Sequence, residues 1–298
     1  MGWTRRTPAS SRHEHVLTAG SSGRAWRGLV LAGAALGLAA CQSSGGGNQV
    51  IDPRAGSAVN IQSLSSVVEA NPQDPTAYNI RGTAHGQAGD NRAALEDFNT
   101  AIQLNPRYYQ AYANRALVYR RMGDLNSALN DYNSALSINP TYDVALIGRG
   151  NLFRLNGNYG RALQDFNTAI SVDSSDARAF HNRGLIYQAQ GQHQRAIEDF
   201  ATAIGLGPNN PEPYNGRGVS YLALNDVDVA LDDFNQALQL DRNYAEAWAN
   251  RGLALEAQGE RNKARAAYSR ALTIEPGMQS AKDGIRRLDS GKPPIRGT

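Results

Sequence analysis

WANRGLALEAQGERNKARAAYSRALTIEP, Trp248 to Pro276, holds two apolar stripes at helical spacing, parted by Gly259-Glu260. Trp248, Gly252 and Leu255 fall on one helix face, and Ala264, Tyr268 and Ala271 on another, because residues three and four apart share a face. Gly259 allows the left-handed residue that ends a helix. Pro276 stops the second helix by breaking its hydrogen-bond ladder. The stretch therefore predicts a helix, a tight turn and a second helix.

The same pattern returns every 34 residues. Arg81-Gly82, Arg115-Ala116, Arg149-Gly150, Arg183-Gly184, Arg217-Gly218 and Arg251-Gly252 are evenly spaced. They are followed in register by Phe98, Tyr132, Phe166, Phe200, Phe234 and Tyr268, then Ala101, Ala135, Ala169, Ala203, Ala237 and Ala271. The turn recurs as Gly89-Asp90, Gly123-Asp124, Gly157-Asn158 and Gly191-Gln192, with Asn225-Asp226 in the fifth unit; asparagine is the next best residue there. Pro106, Pro140 and Pro208 repeat the stop, while Ser174 and Arg242 replace it in two units, which must rely on neighbouring turn residues. A fixed period of this length marks a stacked array with an extended partner-facing surface.

The signature of aromatic, small residue, bulky residue, turn glycine, small, aromatic, small and proline resembles the tetratricopeptide repeat. The resemblance covers residues 75–278, as units 75–108, 109–142, 143–176, 177–210, 211–244 and 245–278. It implies an all-α, right-handed superhelical solenoid of six helix-turn-helix repeats. Stacked units need capped ends. Residues 58–72, with Ile61, Leu64, Val67 and Val68, read as a capping half-repeat, and 279–289 as a C-terminal capping helix. Residues 290–298, with Pro293-Pro294, read as a disordered tail.

The front end carries a separate signal. Arg24 and Arg27 precede the apolar run Gly28 to Ala40, the layout of a secretory signal peptide over residues 1–40. That run is shorter than the about 20 residues of a membrane span. Leu38-Ala39-Ala40-Cys41 resembles the bacterial lipobox, which implies cleavage before Cys41 and lipidation of that single cysteine. Two or more acyl chains anchor a protein stably. Gln42 after the cysteine resembles outer-membrane rather than inner-membrane lipoproteins. Residues 1–23 fit no part of a signal peptide well, as expected if translation starts downstream, at Val16 or Leu17. Arg5-Arg6 is not followed by a twin-arginine pattern. Residues 41–57, rich in glycine and serine, form a flexible tether of about 20–25 Å root-mean-square span.

Charge narrows the function. The chain has 30 basic and 27 acidic residues, but five arginines and Glu14 lie in the leader, leaving 25 and 26. The mature part lacks the basic surface that nucleic-acid binding needs. Past the leader the histidines are His85, His181 and His193, in three different units, and none has a metal-ligand neighbour at three or four residues. No catalytic motif or cofactor fingerprint is present. The reading is not an enzyme, with no cofactor and no metal.

Each unit's arginine is matched sixteen residues later by Asp97, Asp131, Asp165, Asp199 or Asp233, and Arg251 by Ala267. An ion-pair ladder joining the two helices of a unit is preferred over a ligand-binding arginine row. The resemblance places the first helices on the concave face. Carried across, it gives a basic centre with apolar neighbours: Leu117, Arg120, Arg121, Ile147, Asn151, Arg154, Arg178, His181, Leu185 and Gln188. Glu212, Glu246 and Glu256 make the C-terminal end acidic. One reading is a groove for an extended or helical peptide, its acidic residues on Arg120, Arg154 and Arg178 and its apolar anchors on Leu117, Ile147 and Leu185. The other is a solvated face whose charges cluster by chance. The family's carboxylate clamp is incomplete, because the chain's lysines are Lys263, Lys282 and Lys292.

Together these features predict a lipid-anchored adaptor in the bacterial envelope, on the periplasmic face of the outer membrane. It is similar in architecture to NlpI-like lipoprotein scaffolds, which implies partners among envelope proteins such as peptidoglycan enzymes. A pilotin-like assembly factor for a pilus or secretion system, or a self-associating structural lipoprotein forming a homodimer, are the alternatives.

Overall fold

The computed structural model describes residues 56–291; the signal peptide, Cys41, most of the tether and most of the C-terminal tail fall outside them. Among the described residues there are fourteen helices and no strand. Helix α1 (Ala58–Ala70) is followed by six antiparallel pairs. These are α2 (Pro75–Ala88) with α3 (Asn91–Leu104), α4 (Tyr109–Arg121) with α5 (Leu125–Ile138), and α6 (Asp143–Leu155) with α7 (Tyr159–Val172). Then come α8 (Ala177–Ala189) with α9 (His193–Leu206), α10 (Pro211–Ala223) with α11 (Val227–Leu240), and α12 (Ala245–Ala257) with α13 (Arg261–Ile274). Helix α14 (Gln279–Ser290) closes the array.

The turn inside each unit is set by one left-handed residue. Gly89, Gly123, Gly157, Gly191 and Gly259 have φ between 70° and 85°, and Asn225 takes the same role at φ 68°. The stop between units is not the work of proline alone. The second helices end at Val172 and Leu240 in the units without proline, in register with Leu104, Ile138, Leu206 and Ile274. There the Asp173 carboxylate accepts from Ser175 N at 2.8 Å and Asp241 from Asn243 N at 2.8 Å. Asn105 and Asn139 do likewise beside Pro106 and Pro140. In these four units the turn is built by an Asx side chain holding the backbone two residues on.

Each unit's aromatic fills the space between its own first helix and the next. Phe98, Tyr132, Phe166, Phe200, Phe234 and Tyr268 are at most 1% exposed, and each contributes about 1.5–3 kcal/mol by burial. A side chain is missing where the ring arrives. A Cβ on Gly150 would stand 2.8 Å from Phe166, one on Gly252 2.7 Å from Tyr268, and one on Gly148, in the following unit, 2.3 Å from Tyr132. Small residues are thus required by ring contact, not by backbone conformation.

The arginine row forms the expected ladder. Arg81, Arg115, Arg149, Arg183 and Arg217 each grip the aspartate sixteen residues later through Nε and Nη2, at 2.7–2.9 Å. The aspartate side chains are 5–8% exposed and the arginines 18–24%. The third nitrogen reaches back into the preceding unit. Arg115 Nη1 donates to Asn99, Arg149 to Asn133 at 2.9 Å and Arg183 to Asn167 at 2.7 Å. One guanidinium therefore ties three helices and fixes the register between units. Arg251 faces Ala267 and keeps the backward contact alone, Nε to Asn235 at 2.8 Å, and burial pushes its pKa down. Ala267→Asp is expected to complete the sixth fork and raise stability by about 1 kcal/mol; urea unfolding of the variant beside the parent chain checks it.

The backbones of successive first helices approach one another closely, whereas among the described residues those of successive second helices do not. The stack therefore closes up on the first-helix side, which is concave. At the C-terminal end Glu256, 5% exposed, is held by Arg287 Nη2 at 2.9 Å and by the Tyr268 hydroxyl at 2.8 Å. This buried triad docks α14 on the last repeat. It also removes Glu256 from the acidic end of the concave face. At the other end α1 packs on α2 and leaves Val59 and Val67 exposed.

Candidate functional site

The concave face carries a cleft of about 390 Å³ across α6, α8 and α10, reaching Tyr244 before α12. Five residues expected from the sequence line it together: Asn151, Arg154, His181, Leu185 and Gln188. Asn182, Glu212, Asn215, Gly216, Val219 and Tyr244 complete the wall. Leu117 and Arg120 lie half-buried on α4, one unit earlier. Arg121 Nη1 donates to the Gly86 carbonyl, so part of that guanidinium is used within the array.

Two expected residues stand elsewhere. Ile147 is 6% exposed and belongs to the core with Leu146 and Tyr132; its register-mates Ala113 and Ala249 are buried as well. Arg178 lies in the first turn of α8 and is forked onto Asp176, with Nη2 to Oδ2 at 2.5 Å and Nε to Oδ1 at 3.0 Å. The same Asp176 caps α8 by accepting from Arg178 N at 2.8 Å. That fork, its largest cause, raises the Arg178 pKa, and the charge already has its counterion.

Arg120 and Arg154 differ from every rung of the ladder. Both are half-buried, and the Nε of each is buried without a hydrogen-bond partner. Arg154 Nη2 donates to Asn151 Oδ1 at 2.8 Å, a neutral acceptor. Neither meets a carboxylate among the described residues. Burial lowers the Arg154 pKa, the mark of a cation paying for desolvation without a counterion.

His181 sits against Phe200, ring centroids 5.7 Å apart. Its Nδ1 is buried without a partner, and its Nε2 is 3.6 Å from Glu212 Oε2, too long for a hydrogen bond. Burial first, then the Arg154 charge, pushes its pKa from 6.5 to about 4. Between those two values the unfolded chain binds a proton that the folded chain does not. Stability is therefore whole above pH 6.5 and falls as pH drops toward 4. Between pH 7 and pH 5 the loss from this group should be about 1–2 kcal/mol. His181→Asn, the residue type its register-mate Asn215 already holds, is expected to remove that slope; urea melts of both proteins at the two pH values measure it.

Sequence reasoning missed Ser220, Gly216 and Tyr244. Ser220 is fully buried in a column otherwise filled by Ala84, Val118, Leu152, Ile186 and Ala254. It accepts from Gln188 Nε2 at 2.8 Å, as does the Gly216 carbonyl at 2.8 Å. A lone hydroxyl in an apolar column was the available signal, since a buried hydroxyl needs a partner. The Tyr244 hydroxyl accepts from Asn215 Nδ2 at 3.3 Å, and Asn215 Oδ1 accepts from Asn250 at 2.9 Å. Tyr244 precedes its helix, so the periodicity of the helix faces could not place it. Among the described residues no group of His, Cys, Asp and Glu is placed to hold a metal ion, and no helix is long and apolar enough to cross a membrane.

The tetratricopeptide repeat family models match residues 75–108, 109–142, 177–210 and 245–278, and a TPR repeat model matches 150–191 and 220–259. No curated protein sequence matches the chain. Among solved structures, the APC/C hetero-tetramer Cut9-Hcn1 aligns with a TM-score of 0.72 at 18% identity, over 79% of this chain and 47% of that one. The chain thus spans about half the length of that relative. A tetratricopeptide repeat protein from Parabacteroides merdae ATCC 43184 aligns with a TM-score of 0.58 at 25% identity, over 77% and 91% of the two chains. PilW, described as a widely conserved type IV pilus biogenesis factor, aligns with a TM-score of 0.64 at 17% identity, over 71% and 98%. The first and third likenesses, under 25% identity, speak for the fold alone.

Proposed function

This chain belongs to the tetratricopeptide repeat family, and from that premise we propose that it is a protein–protein interaction adaptor working through its concave groove, with no chemistry of its own. One observation carries the assignment to the groove. The fold gives five ladder arginines an aspartate each, yet leaves Arg120 and Arg154 half-buried without one. A partner's carboxylate supplies the missing counterion, and a charge-assisted contact in such a partly desolvated place is worth more than one at the rim. Leu117, Leu185 and Val219 offer apolar contact beside it.

The lipobox resemblance at Leu38 to Cys41 extends the proposal to a lipid-anchored adaptor of the bacterial envelope, holding partners near the membrane as NlpI-like scaffolds do. Metabolic labelling with radioactive palmitate should mark the chain and not a Cys41→Ser variant; equal labelling of both would remove the anchor. The pilus-assembly reading draws on the fold likeness to PilW alone.

The groove is tested by affinity capture from a native envelope extract, with the parent chain and an Arg120→Glu/Arg154→Glu variant of unchanged helicity as baits. A partner held by the first and lost by the second supports the groove. Equal capture by both moves the interface to another face. Arg178→Glu serves as a control expected to retain the partner, because Arg178 already has Asp176.

A further inference from the structure

Building on the groove reading, we infer that the cleft recognises a dipolar peptide segment, one with a carboxylate side chain for the α6 end and a basic side chain for the α10 end. The two ends of the cleft carry opposite, uncompensated charge. At one end stands Arg154, whose one hydrogen-bond partner among the described residues is the neutral Asn151, with Arg120 one unit behind it. At the other stands Glu212, in the first turn of α10, its side chain 59% exposed. Its nearest cationic candidate, His181 Nε2, is 3.6 Å away and neutral near pH 7, because burial holds the imidazole pKa down to about 4.

The negative end extends beyond Glu212. The Tyr244 phenol lies among Glu246, Glu212 and Asp241, and burial followed by those charges pushes its pKa to about 12. Between the charged ends the wall is Leu185 and Val219, with the amides of Asn182 and Asn215 beside them. That sequence of chemistries runs cation, apolar floor with amides, anion. A purely acidic peptide would satisfy Arg154 and be repelled at Glu212; a purely basic one would do the reverse. Like-charge juxtaposition of this kind is how an interface rejects wrong partners.

The probe is a phage-displayed random-peptide library, selected on the full chain in detergent micelles. Affinities of the enriched peptides are then measured by fluorescence anisotropy. The expected result is peptides that pair an acidic with a basic residue. Arg154→Glu and Glu212→Lys should each weaken them about tenfold, with the loss shrinking at high salt. The double variant Arg154→Glu/Glu212→Lys should bind the charge-inverted peptide better than the parent peptide. Enriched peptides that are only acidic, bound as well or better by Glu212→Lys, would overturn the dipolar inference and leave the groove reading standing. If no enriched peptide responds to Arg120→Glu/Arg154→Glu, or none is enriched, the groove reading falls and the inference with it.

Discussion

Replacing Arg149 by leucine is expected to lower the stability of the array by about 3–5 kcal/mol, the range for a buried pair broken from one side. The partner left behind is Asp165, whose side chain is 5% exposed and can recruit little water in place of the fork. The reverse change, Asp165→Leu, should cost less, about 1–3 kcal/mol. Arg149 is 24% exposed, keeps Asn133 as an acceptor and lies 5.9 Å from the Phe153 ring. The double variant should recover most of the loss, because replacing both ions with apolar groups removes two desolvation penalties at once. Urea unfolding followed by circular dichroism gives the three values. A double variant as unstable as Arg149→Leu would mean that the ladder contributes attraction beyond its own desolvation. Because repeats melt by neighbouring units, the broken rung should also uncouple the array and lower the cooperativity of the transition.

The ladder was legible in the sequence because both partners repeat at a constant separation of sixteen. So were the helix pairs and their turns, down to Asn225 at the one place where glycine is absent. The backward tie to Asn99, Asn133 and Asn167 follows the same arithmetic in the opposite direction, but only a stacked structure shows that the preceding unit lies within reach.

The groove was legible by register and less so by chemistry. Register puts Arg178 on the concave face, yet Asp176, two residues earlier, captures it; that local competition leaves no periodic trace. Glu256 shares a column with Arg120 and Arg154 and would read as the acidic end of the groove. It is instead sealed by Arg287, thirty-one residues on, because the capping helix folds back over the last repeat. Ile147 is drawn into the core by the close approach of α6 to the previous unit. In each case the deciding partner is supplied by the packing of neighbouring elements, which residue type and spacing do not encode.

Gly148→Ala is expected to destabilise the chain by about 3 kcal/mol, the upper part of the range for overpacking a full core. The added Cβ would lie 2.3 Å from Tyr132 Cζ and 2.6 Å from its hydroxyl oxygen, and the ring, 1% exposed, has nowhere to swing. The register explains why glycine is needed here. Where the preceding aromatic is Phe98, Phe166 or Phe234, the same position holds Asn114, Asn182 or Asn250; after Tyr132 and Tyr268 it holds Gly148 and Gly284. The extra phenolic oxygen takes the room that a side chain occupies in the other units. Gly216 breaks the rule opposite Phe200, and its carbonyl is the one that Gln188 grips, so that glycine serves the cleft wall as well. Gly205 is the control, being exposed on α9 with no atom within 4 Å of a built Cβ. Gly205→Ala should therefore stabilise by about 0.5–1 kcal/mol through helix entropy alone. Thermal and urea melts of the two variants should move in opposite directions. A Gly148→Ala protein as stable as its parent would show that the α5–α6 junction can open by the width of a methyl group, and the fixed register between units would then have to rest on the arginine ladder alone.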